Sequence, residues 1–563
     1  MFSLWKNWRR RILYLPRLFP KKERLILGLL IIVFVSSTGT FLFSFFMRHT
    51  VSVPRNAGTY REGLSKKPRF INPLYLSNND TDRDLTGLIF SSLIRYDSKG
   101  NLIPDLAESW EISPDNKTYT FHLAENALWH DGENVTANDV VFTIKAIQNI
   151  EYKSPLRQNW QGVAVEKVDD YTVRFTLRQP YAPFIENGAV FILPEHIWTR
   201  IPPENSFISE YNRKPVGSGK YAFSSLETSA KNETLSYTLV ANSRYYRGVS
   251  HISKLVFTFY ASEDELIRAY KKGEIDGFGS ISQEHIAELK SQDMNIYALR
   301  VPRIFALFLN QNKFPAFKEK NARDAISFAI DRDALIAAAL QGGAIPADSP
   351  IPPGIFGYAP ADDSAKTAFG PSNAMKLLEK TGWKKNENGM YAMVKKINGK
   401  QTETPLSFEL VTSDVPELIL AAQFIQKSLR AIGIDVRIAS IATSELETQN
   451  IRTRAYDALL FGETVGHDPD PFPFWHTSQI RDPGLNIALF ANREADELLE
   501  DARHTSNPEI RMKKYKDFQT IVRKNTGAVF LYSPTYFYGI RSIIKGVDLQ
   551  NIVVPAERFN EIE

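Results

Sequence analysis

Residues 102–147 read LIPDLAESWEISPDNKTYTFHLAENALWHDGENVTANDVVFTIKAI. In KTYTFHL (117–123) apolar residues alternate with polar ones, which predicts a strand with one buried face. Thr136 followed by Asp139 has the pattern of a capping box, which predicts that a helix begins here and continues through the apolar residues that follow. A strand and a helix in such close succession favour a mixed α/β architecture.

The same two patterns recur along the chain. YTVRFTL (171–177) alternates again, and the helical stretch VPELILAAQFIQKSLRAIG (415–433) leads directly into the predicted strand IDVRIAS (434–440). PVGSGKYAF (215–223) is similar to a nucleotide-binding loop, but it lacks the GxxxxGK[ST] spacing, so we expect a turn into a strand. A chain of 563 residues is too long for one hydrophobic core, which predicts two or three domains or one large two-lobed body.

The composition excludes several classes of site. The chain contains no cysteine, which excludes disulfides, thiolate metal sites and cysteine nucleophiles. Its net charge is only +4 and much of that lies in the first 24 residues, so no concentrated basic face indicates a nucleic-acid partner. Neither an HExxH motif nor a GxSxG motif is present. We therefore predict a protein that is not an enzyme and has no cofactor.

The N-terminus predicts a membrane segment. Residues 25–47 carry no charge and, at about 1.5 Å per residue, are long enough to cross a hydrocarbon core about 30 Å thick. The basic residues before them predict a cytoplasmic segment over 1–24 and a transmembrane anchor over 25–47. A cleaved signal peptide is the alternative, although its apolar core usually spans about 7–15 residues. Residues 48–69 are polar and predict a linker to a body outside the cytoplasm, in a periplasm or on the cell surface.

The stretch ETVGHDPDPFPFWHTS (463–478) combines acidic, aromatic and proline residues. Its three prolines exclude a long helix. Three kinds of site fit it: a metal site formed by His467, Asp468, Asp470 and His476, a pair of catalytic carboxylates, or the wall of a ligand pocket. Prolines do not by themselves make metal ligands converge, so the pattern favours the pocket wall over the metal site. A stiff surface loop that packs its own rings is the non-functional alternative.

Residues 102–147 resemble the signature of the family 5 extracellular solute-binding proteins, the receptors of peptide, dipeptide and nickel importers of the ABC class. The resemblance rests on PDLAESW, on SPD before the strand, on WHDG and on TANDV. Further segments similar to the family follow in order: KPVGSGKYAF (214–223), NSRYYRG (242–248), NARDAISFAIDRDALI (321–336), AMKLLEKTGW (374–383) and AAQFIQKSLRAIGIDVRI (421–438). The resemblance extends over about residues 70 to 545.

The resemblance implies an α/β, two-lobed, periplasmic-binding-protein-like (type II) fold with mixed sheets, preceded by one N-terminal transmembrane helix. Lobe I is expected over 70–302 with a return at 528–563, and lobe II over 303–527. Two crossing strands near 299–310 and 528–539 would form the hinge. A ligand would bind between the lobes, and closure would bury it.

The resemblance also suggests candidate ligand contacts: Ser91, Ser92, Tyr221, Asn310, Asp468, Asp470 and Trp475. Peptide receptors of this family often have an aspartate three residues before the Asp of Asp-Pro, where it pairs with the amino terminus of the ligand. This chain has Val465 at that position. The departure weakens the prediction of a peptide ligand more than the prediction of ligand binding.

The function implied is that of a membrane-anchored extracytoplasmic receptor that delivers peptides or other small solutes to an ABC permease. Such a receptor needs one copy per cleft, so a monomer is expected. Three alternatives remain open from the sequence. They are a receptor for a non-peptide solute such as a sugar or a metal chelate, a sensor module, and an exported hydrolase with an acid pair around Asp468.

Overall fold

A computed structural model describes residues 20–49, 57–76, 79–98, 100–231, 233–290, 292–361, 369–397, 400–544, 552–553 and 555–559. The chain divides into two compact units, 1–55 and 56–563. Residues 1–19, most of the predicted cytoplasmic segment, lie outside the described residues.

The first unit contains a helix, α1, over Lys21–His49. The expectation of an apolar N-terminal helix is confirmed. Among the residues described, α1 is the one helix that is long and apolar enough to cross a membrane. This length and composition fit a retained anchor and a signal sequence alike.

The second unit, here called the body, alternates helices and strands along its whole length. Its helices are α2 Asp80–Ile89, α3 Ala137–Gln148, α4 Arg157–Trp160, α5 Glu195–Trp198, α6 Glu263–Lys271, α7 Ile286–Lys290, α8 Lys320–Ala329, α9 Arg332–Leu340, α10 Pro371–Lys380, α11 Pro416–Ile432, α12 Thr443–Leu446, α13 Phe472–Trp475, α14 Arg493–Arg503 and α15 Pro508–Asn525. Its strands are β1 Thr59–Leu64, β2 Ile94–Tyr96, β3 Leu102–Pro104, β4 Ala107–Ile112, β5 Thr118–Leu123, β6 Ala164–Asp169, β7 Thr172–Thr176, β8 Tyr221–Thr228, β9 Thr234–Ala241, β10 Lys254–Phe259, β11 Gly277–Gly279, β12 Met294–Arg300, β13 Arg303–Leu309, β14 Ala344–Pro346, β15 Lys384–Lys385, β16 Tyr391–Ile397, β17 Lys400–Pro405, β18 Ser407–Ser413, β19 Asp435–Ile441, β20 Ala458–Thr464 and β21 Val529–Arg541.

One large mixed sheet runs through the body in the order β19-β18-β20-β13-β21-β11-β1-β10-β9-β8. We call the part of the body that contains the sheet from β11 to β8 lobe I, and the part that contains the sheet from β19 to β13 lobe II. Parallel pairs (β1 with β10 and β11, β18 with β19 and β20) occur beside antiparallel ones. The mixed α/β, two-lobed architecture is therefore confirmed.

Strand β21 belongs to both lobes. Its first part, 529–534, pairs with β13 and β14, and its second part, 535–541, pairs with β11 and β12. The chain crosses from β12 to β13 beside this point, and Ser533 Oγ donates to the backbone oxygen of Arg303 at 2.8 Å. Two neighbouring chain segments thus connect the lobes.

The prediction of a linker over 48–69 is wrong at its C-terminal end, because Thr59–Leu64 form strand β1 between β10 and β11. The residue that hides this strand in the sequence is Glu62, which is fully buried. Its carboxylate lies 3.0 Å from Nη2 of Arg558, which also contacts Asp84 at 2.6 Å. A charge in a central strand is tolerated because a cation from the far end of the chain compensates it.

The stretch 102–147 folds as its patterns predict. Residues 118–123 form β5 with alternating burial, in a separate sheet of order β4-β5-β7-β6. Thr136 and Asp139 form a capping box at the start of α3. Asp139 also accepts from the backbone N–H of Glu195 at 2.8 Å, so the cap fixes the neighbouring helix α5 as well.

Gly217 and Gly219 allow the turn before β8 to pack closely against helix α2. Gly217 and Gly219 pack directly on the end of α2, where an added Cβ would lie 1.9 Å and 2.6 Å from backbone oxygens of α2. Only glycine permits this approach. The turn then enters β8, as predicted, and brings Lys220 against the residues that follow α2.

Candidate functional site

A cavity of about 600 Å³ lies in lobe I next to the loop 463–478 of lobe II. Its walls come from the segment after α2 (91–96), from the turn 245–251 after β9, from Val553, from Ala556 and Glu557 of the tail Pro555–Phe559, and from His467 of the loop. Ligand pockets usually measure roughly 300–1,000 Å³. The cavity is therefore of a size that suits a small organic ligand.

Asp105 forms a polar wall of this cavity. Its carboxylate accepts hydrogen bonds from the backbone N–H of Ser92 at 3.0 Å and from the hydroxyl of Tyr246 at 2.7 Å. The hydroxyl groups of Ser92 and Tyr245 lie at 3.3 Å and 3.4 Å. Burial, with the charge of Asp105, raises the pKa of Tyr246 well above its ordinary value, so the hydroxyl stays a donor.

Arginine and lysine side chains outnumber carboxylates in the wall of the cavity. The cations are Arg95, Lys220 and Arg247, and the carboxylates are Asp105 and Glu557. Arg247 donates from Nη1 to the backbone oxygen of Asp105 at 3.4 Å. Nε of Arg95 is buried and has no hydrogen-bond partner among the residues described. The cavity thus contains a guanidinium group that the protein itself leaves partly unsatisfied.

The two aspartates of the loop are held by arginines of lobe II. Asp468 Oδ2 lies 2.7 Å from Nη2 of Arg511, and its Oδ1 accepts from the hydroxyl of Tyr515 at 2.9 Å. Asp470 accepts from Nη2 of Arg503 at 2.7 Å and from Nε of the same arginine at 3.0 Å. Helix α14 therefore fixes the loop through charge-assisted hydrogen bonds of Arg503, and helix α15 fixes it through the ion pair of Arg511 and the hydrogen bond of Tyr515.

The loop also contacts lobe I. The backbone N–H of Asp468 donates to Oε1 of Glu186 at 2.7 Å, and the hydroxyl of Tyr181 donates to Oδ2 of Asp470 at 3.0 Å. Burial, together with the negative charge of Asp468, raises the pKa of Glu186 to about 8. A carboxyl group that titrates near neutral pH therefore lies where the lobes meet.

His467 is the residue of the loop that closes one side of the cavity. Its ring stacks on Tyr96 of β2, with ring centroids 3.5 Å apart and an interplanar angle of 19°. Its Nε2 lies 2.9 Å from Oε1 of Glu557 in the tail. His467 thus joins lobe II to two separate wall elements of lobe I.

The candidate contacts predicted from the sequence lie in different places. Ser91 and Ser92 line the cavity. Asp468 and Asp470 lie in the contact between the loop and lobe I, beside the cavity. Tyr221 is buried within lobe I, where its hydroxyl donates to the backbone oxygen of Ile252 at 3.1 Å.

Asn310 and Trp475 lie farther from the cavity wall, in lobe II. Asn310 donates from Nδ2 to the backbone oxygen of Arg454 at 2.9 Å and borders a separate surface groove. Trp475 is 1% exposed and packs against Phe518 and Phe530 in the interior of lobe II. Both contribute to the lobe that carries the loop.

Val465 and Glu463 show how the start of the loop is built. Val465 is buried in an apolar cluster with Ile355 and Tyr515. Glu463 is buried as well, and burial raises its pKa to about 8, opposed by a hydrogen bond from Trp475. Neither side chain lines the cavity of lobe I as the structure describes it.

Sequence reasoning missed Arg95, Tyr96, Glu186 and Glu557. Arg95 and Tyr96 lie a few residues after Ser92, in SSLIRYD, where they belong to the short strand β2, so a strand pattern is the available signal. Glu186 and Glu557 carry no such signal, because they come into place through contacts between distant parts of the chain.

The described residues contain no group of three or more His, Asp or Glu side chains that could hold a metal ion. The side chains considered as metal ligands each have another partner. His467 contacts Glu557, Asp468 and Asp470 contact arginines, and Nδ1 of His476 lies 2.8 Å from the hydroxyl of Ser478.

Comparison with known proteins adds to this geometry. The sequence model of the bacterial extracellular solute-binding proteins, family 5, middle region, matches residues 101–483. The chain is 28% identical to the oligopeptide-binding protein AppA of Bacillus subtilis over 89% of this chain and 91% of AppA. It is 26% identical to the dipeptide-binding protein of Escherichia coli, over 88% of this chain and 93% of that protein.

Several solved structures are similar in fold, including relatives with a bound ligand. The structure of B. subtilis AppA in complex with a nonapeptide has a TM-score of 0.69 and 27% identity, and the match covers 90% of this chain and 98% of AppA. The structure of NikZ from Campylobacter jejuni in complex with Ni(L-His) has a TM-score of 0.70 and 26% identity, with coverage of 91% and 100%. The relatives of this chain are thus binding proteins whose ligands differ in chemistry.

Proposed function

The chain belongs to the bacterial extracellular solute-binding proteins of family 5, and on that premise we propose that it is a receptor that delivers peptides to an ABC permease. The observation that carries the proposal is the cavity of about 600 Å³ that His467 of lobe II closes against lobe I. A receptor needs such a site because its ligand must be enclosed by one lobe and covered by the other.

Release and capture would follow from movement of the lobes about the crossing at β12, β13 and β21. We propose lobe I as 57–302 with the return at 528–559, which now includes β1, and lobe II as 303–527. Opening would separate His467 from Tyr96 and Glu557. Closure would restore these contacts over a bound ligand and create a surface that a permease can distinguish from the open form.

We propose that α1 anchors the receptor in the membrane, with its N-terminus in the cytoplasm and the body outside. An anchor would keep the receptor at a high effective concentration near its permease. Alkaline extraction of membranes and N-terminal sequencing of the exported protein test this. Release of a shortened chain into the soluble fraction would show that α1 is a cleaved leader.

The proposal includes no catalytic step and no second copy of the chain. Asp468 and Asp470, the carboxylates considered for hydrolysis, are each paired with an arginine and therefore lack the free geometry of an acid–base pair. Binding of one ligand requires one cleft, so we propose a monomer. Size-exclusion chromatography with light scattering measures this directly.

A receptor for a non-peptide solute is the second candidate. Val465 supports it, because this residue is apolar where peptide receptors of the family often have the aspartate that pairs with an amino terminus. The two nearby aspartates are engaged by Arg511 and Arg503 and do not replace it.

Native mass spectrometry of the full-length chain in detergent distinguishes these candidates. We expect an excess mass that dissociates on denaturation into short peptides. His467→Ala should lose most of this mass, whereas the matched variant His504→Ala, at an exposed position of lobe II, should retain it. An excess that consists of a sugar or a metal chelate would replace the peptide assignment with the second candidate.

A further inference from the structure

We propose that Arg95 binds a carboxylate group of the ligand, so that the cavity receives the C-terminal end of a short peptide. This inference rests on the proposed receptor function and adds the chemistry and orientation of the ligand. It starts from Nε of Arg95. Among the arginine and lysine side chains that line the cavity, this is the buried donor atom that has no acceptor within the residues described.

The carboxylates that line the cavity are already engaged by the protein. Asp105 accepts hydrogen bonds from Ser92 and Tyr246. Glu557 accepts from the backbone N–H of Val553 at 3.0 Å and lies 2.9 Å from Nε2 of His467. An ammonium group of a ligand would have to compete with these donors for either carboxylate.

Arg95 is in the opposite situation. A guanidinium group has five N–H donors in a planar fork and no acceptor, and the buried Nε of Arg95 has no acceptor among the residues described. A buried donor without an acceptor is unfavourable, and a carboxylate supplies two acceptor oxygens with the matching geometry. The site therefore favours an anionic, planar group over a neutral or cationic one.

The surroundings of Arg95 strengthen this preference. Lys220 and Arg247 line the same cavity, so its arginine and lysine side chains outnumber its two carboxylates, Asp105 and Glu557. The next residue, Tyr96, stacks on His467, so a carboxylate on Arg95 would lie beside the contact that closes the cavity. Binding of the C-terminal end in lobe I and closure by lobe II would then be neighbouring events.

The experiment measures binding to the full-length chain in detergent by isothermal titration calorimetry. The probes are a mixed tripeptide library as free acids, the same library as C-terminal amides, the same library with acetylated N-termini, and succinate as a small carboxylate without a peptide. The variants are Arg95→Gln, Arg95→Lys, and Arg493→Gln as the matched control, whose side chain is 93% exposed on α14.

We expect the free acids to bind at least tenfold more tightly than the amides, and acetylation to change the affinity less than twofold. Arg95→Gln should abolish the difference between acids and amides, Arg95→Lys should retain part of it, and Arg493→Gln should behave as the wild type. The melting temperature of the unliganded protein should not fall in Arg95→Gln, because the buried Nε of this side chain has no hydrogen bond to lose.

Equal binding of acids and amides by the wild type would overturn the role of Arg95 and leave the peptide receptor standing. Binding of succinate alone, lost in Arg95→Gln, would keep the carboxylate site and overturn the peptide as its source. Binding of none of the four probes would overturn both the inference and the proposed peptide receptor.

Discussion

The tail Pro555–Phe559 and the loop 463–478 form opposite sides of the same contact, and arginine–carboxylate pairs hold each of them in its own lobe. In the tail, Arg558 contacts Glu62 and Asp84, and all three side chains are at most 1% exposed. In the loop, Arg511 and Arg503 are 13% and 25% exposed, and their partners Asp468 and Asp470 are 3% and 11% exposed.

This difference separates two uses of one kind of ion pair. A fully buried cation between two carboxylates has no solvent to replace it, so its loss leaves two charges without compensation. In a less deeply buried pair, such as Arg503 with Asp470, water can partly replace the lost partner, and screening reduces the strength of the pair. We infer that the tail depends on its arginine for folding, whereas the loop depends on its arginines mainly for position.

Replacement of Arg558 by methionine tests the tail and should have the largest effect. The substitution keeps much of the volume but leaves Glu62 and Asp84 buried without a cation. We expect a loss of about 3–5 kcal/mol in the free energy of unfolding. Urea denaturation followed by circular dichroism measures this loss.

The triple variant Arg558→Met, Glu62→Gln, Asp84→Asn is the control. It removes the two negative charges together with the positive one, so most of the lost stability should return. If Arg558→Met alone costs less than about 1 kcal/mol, which is the range of an exposed pair, the distinction between tail and loop fails.

Asp468→Asn tests the more buried pair of the loop. The amide can still accept from Tyr515, but Arg511 loses its counter-charge, so we expect a loss of about 1.5–3 kcal/mol. Asp470→Asn is the matched comparison at the more exposed pair, for which we expect about 1 kcal/mol. Chemical denaturation of both variants measures the order.

An equal loss in the two asparagine variants would show that burial does not rank these pairs. A larger loss in Asp470→Asn would show that the hydroxyl of Tyr181, which donates to Asp470 at 3.0 Å, contributes more than the arginine does. Either result would indicate that contacts with lobe I, rather than the buried charge, determine how much each aspartate stabilises the protein.

The comparison also shows which features can be predicted from the sequence. Local periodicity predicts β5 and the capping box at Thr136 correctly, because both depend on residues a few positions apart. The strand β1 escapes prediction because the carboxylate of Glu62 suggests exposure, and the compensating Arg558 lies 496 positions away. Local sequence patterns do not reveal a pairing between residues so far apart in the chain.

The site is less predictable than the fold for the same reason. Ser91 and Ser92 were reached through the family resemblance, and they line the cavity. Trp475 is aromatic and lies within the loop, yet it packs inside lobe II, because aromatic side chains that complete a core have the same sequence pattern as those that line a pocket. Whether such a ring lies in the core or in a pocket wall can be decided only from the folded structure.

His467→Ala tests the contact that the two arginine clusters position. It removes the stacking on Tyr96 and the pair with Glu557, so the closed form should lose about 1 kcal/mol relative to the open form, while the free energy of unfolding stays nearly unchanged. The chain contains no cysteine, so cysteines introduced at the exposed positions Glu125 and Glu497 can carry a fluorophore pair, one on each lobe.

Energy transfer between these fluorophores reports the fraction of closed molecules. We expect this fraction to fall in His467→Ala and to stay constant in His504→Ala. An unchanged fraction in His467→Ala would mean that Glu186 and Tyr181 hold the lobes together without the histidine.

Glu186 adds a dependence on pH to the same contact. Its pKa is raised to about 8, mainly by burial and then by the charge of Asp468, with Tyr96 and Arg511 acting in the opposite direction. A carboxyl group that is exposed on opening returns to its ordinary pKa near 4.3, so closure takes up a proton. Protonation of Glu186 therefore stabilises the closed form relative to the open form. This stabilisation is complete below the open-form pKa near 4.3 and is lost as the pH rises towards 8.

We therefore expect the closed fraction to fall, by less than tenfold, when the pH rises from about 6 to about 7. Glu186→Gln should remove this dependence, because an amide accepts the same hydrogen bond from Asp468 and does not titrate. The imidazole of His467 faces the same contact, so the titration is repeated in His467→Ala. A pH dependence that persists in Glu186→Gln and disappears in His467→Ala would show that Glu186 is not its source.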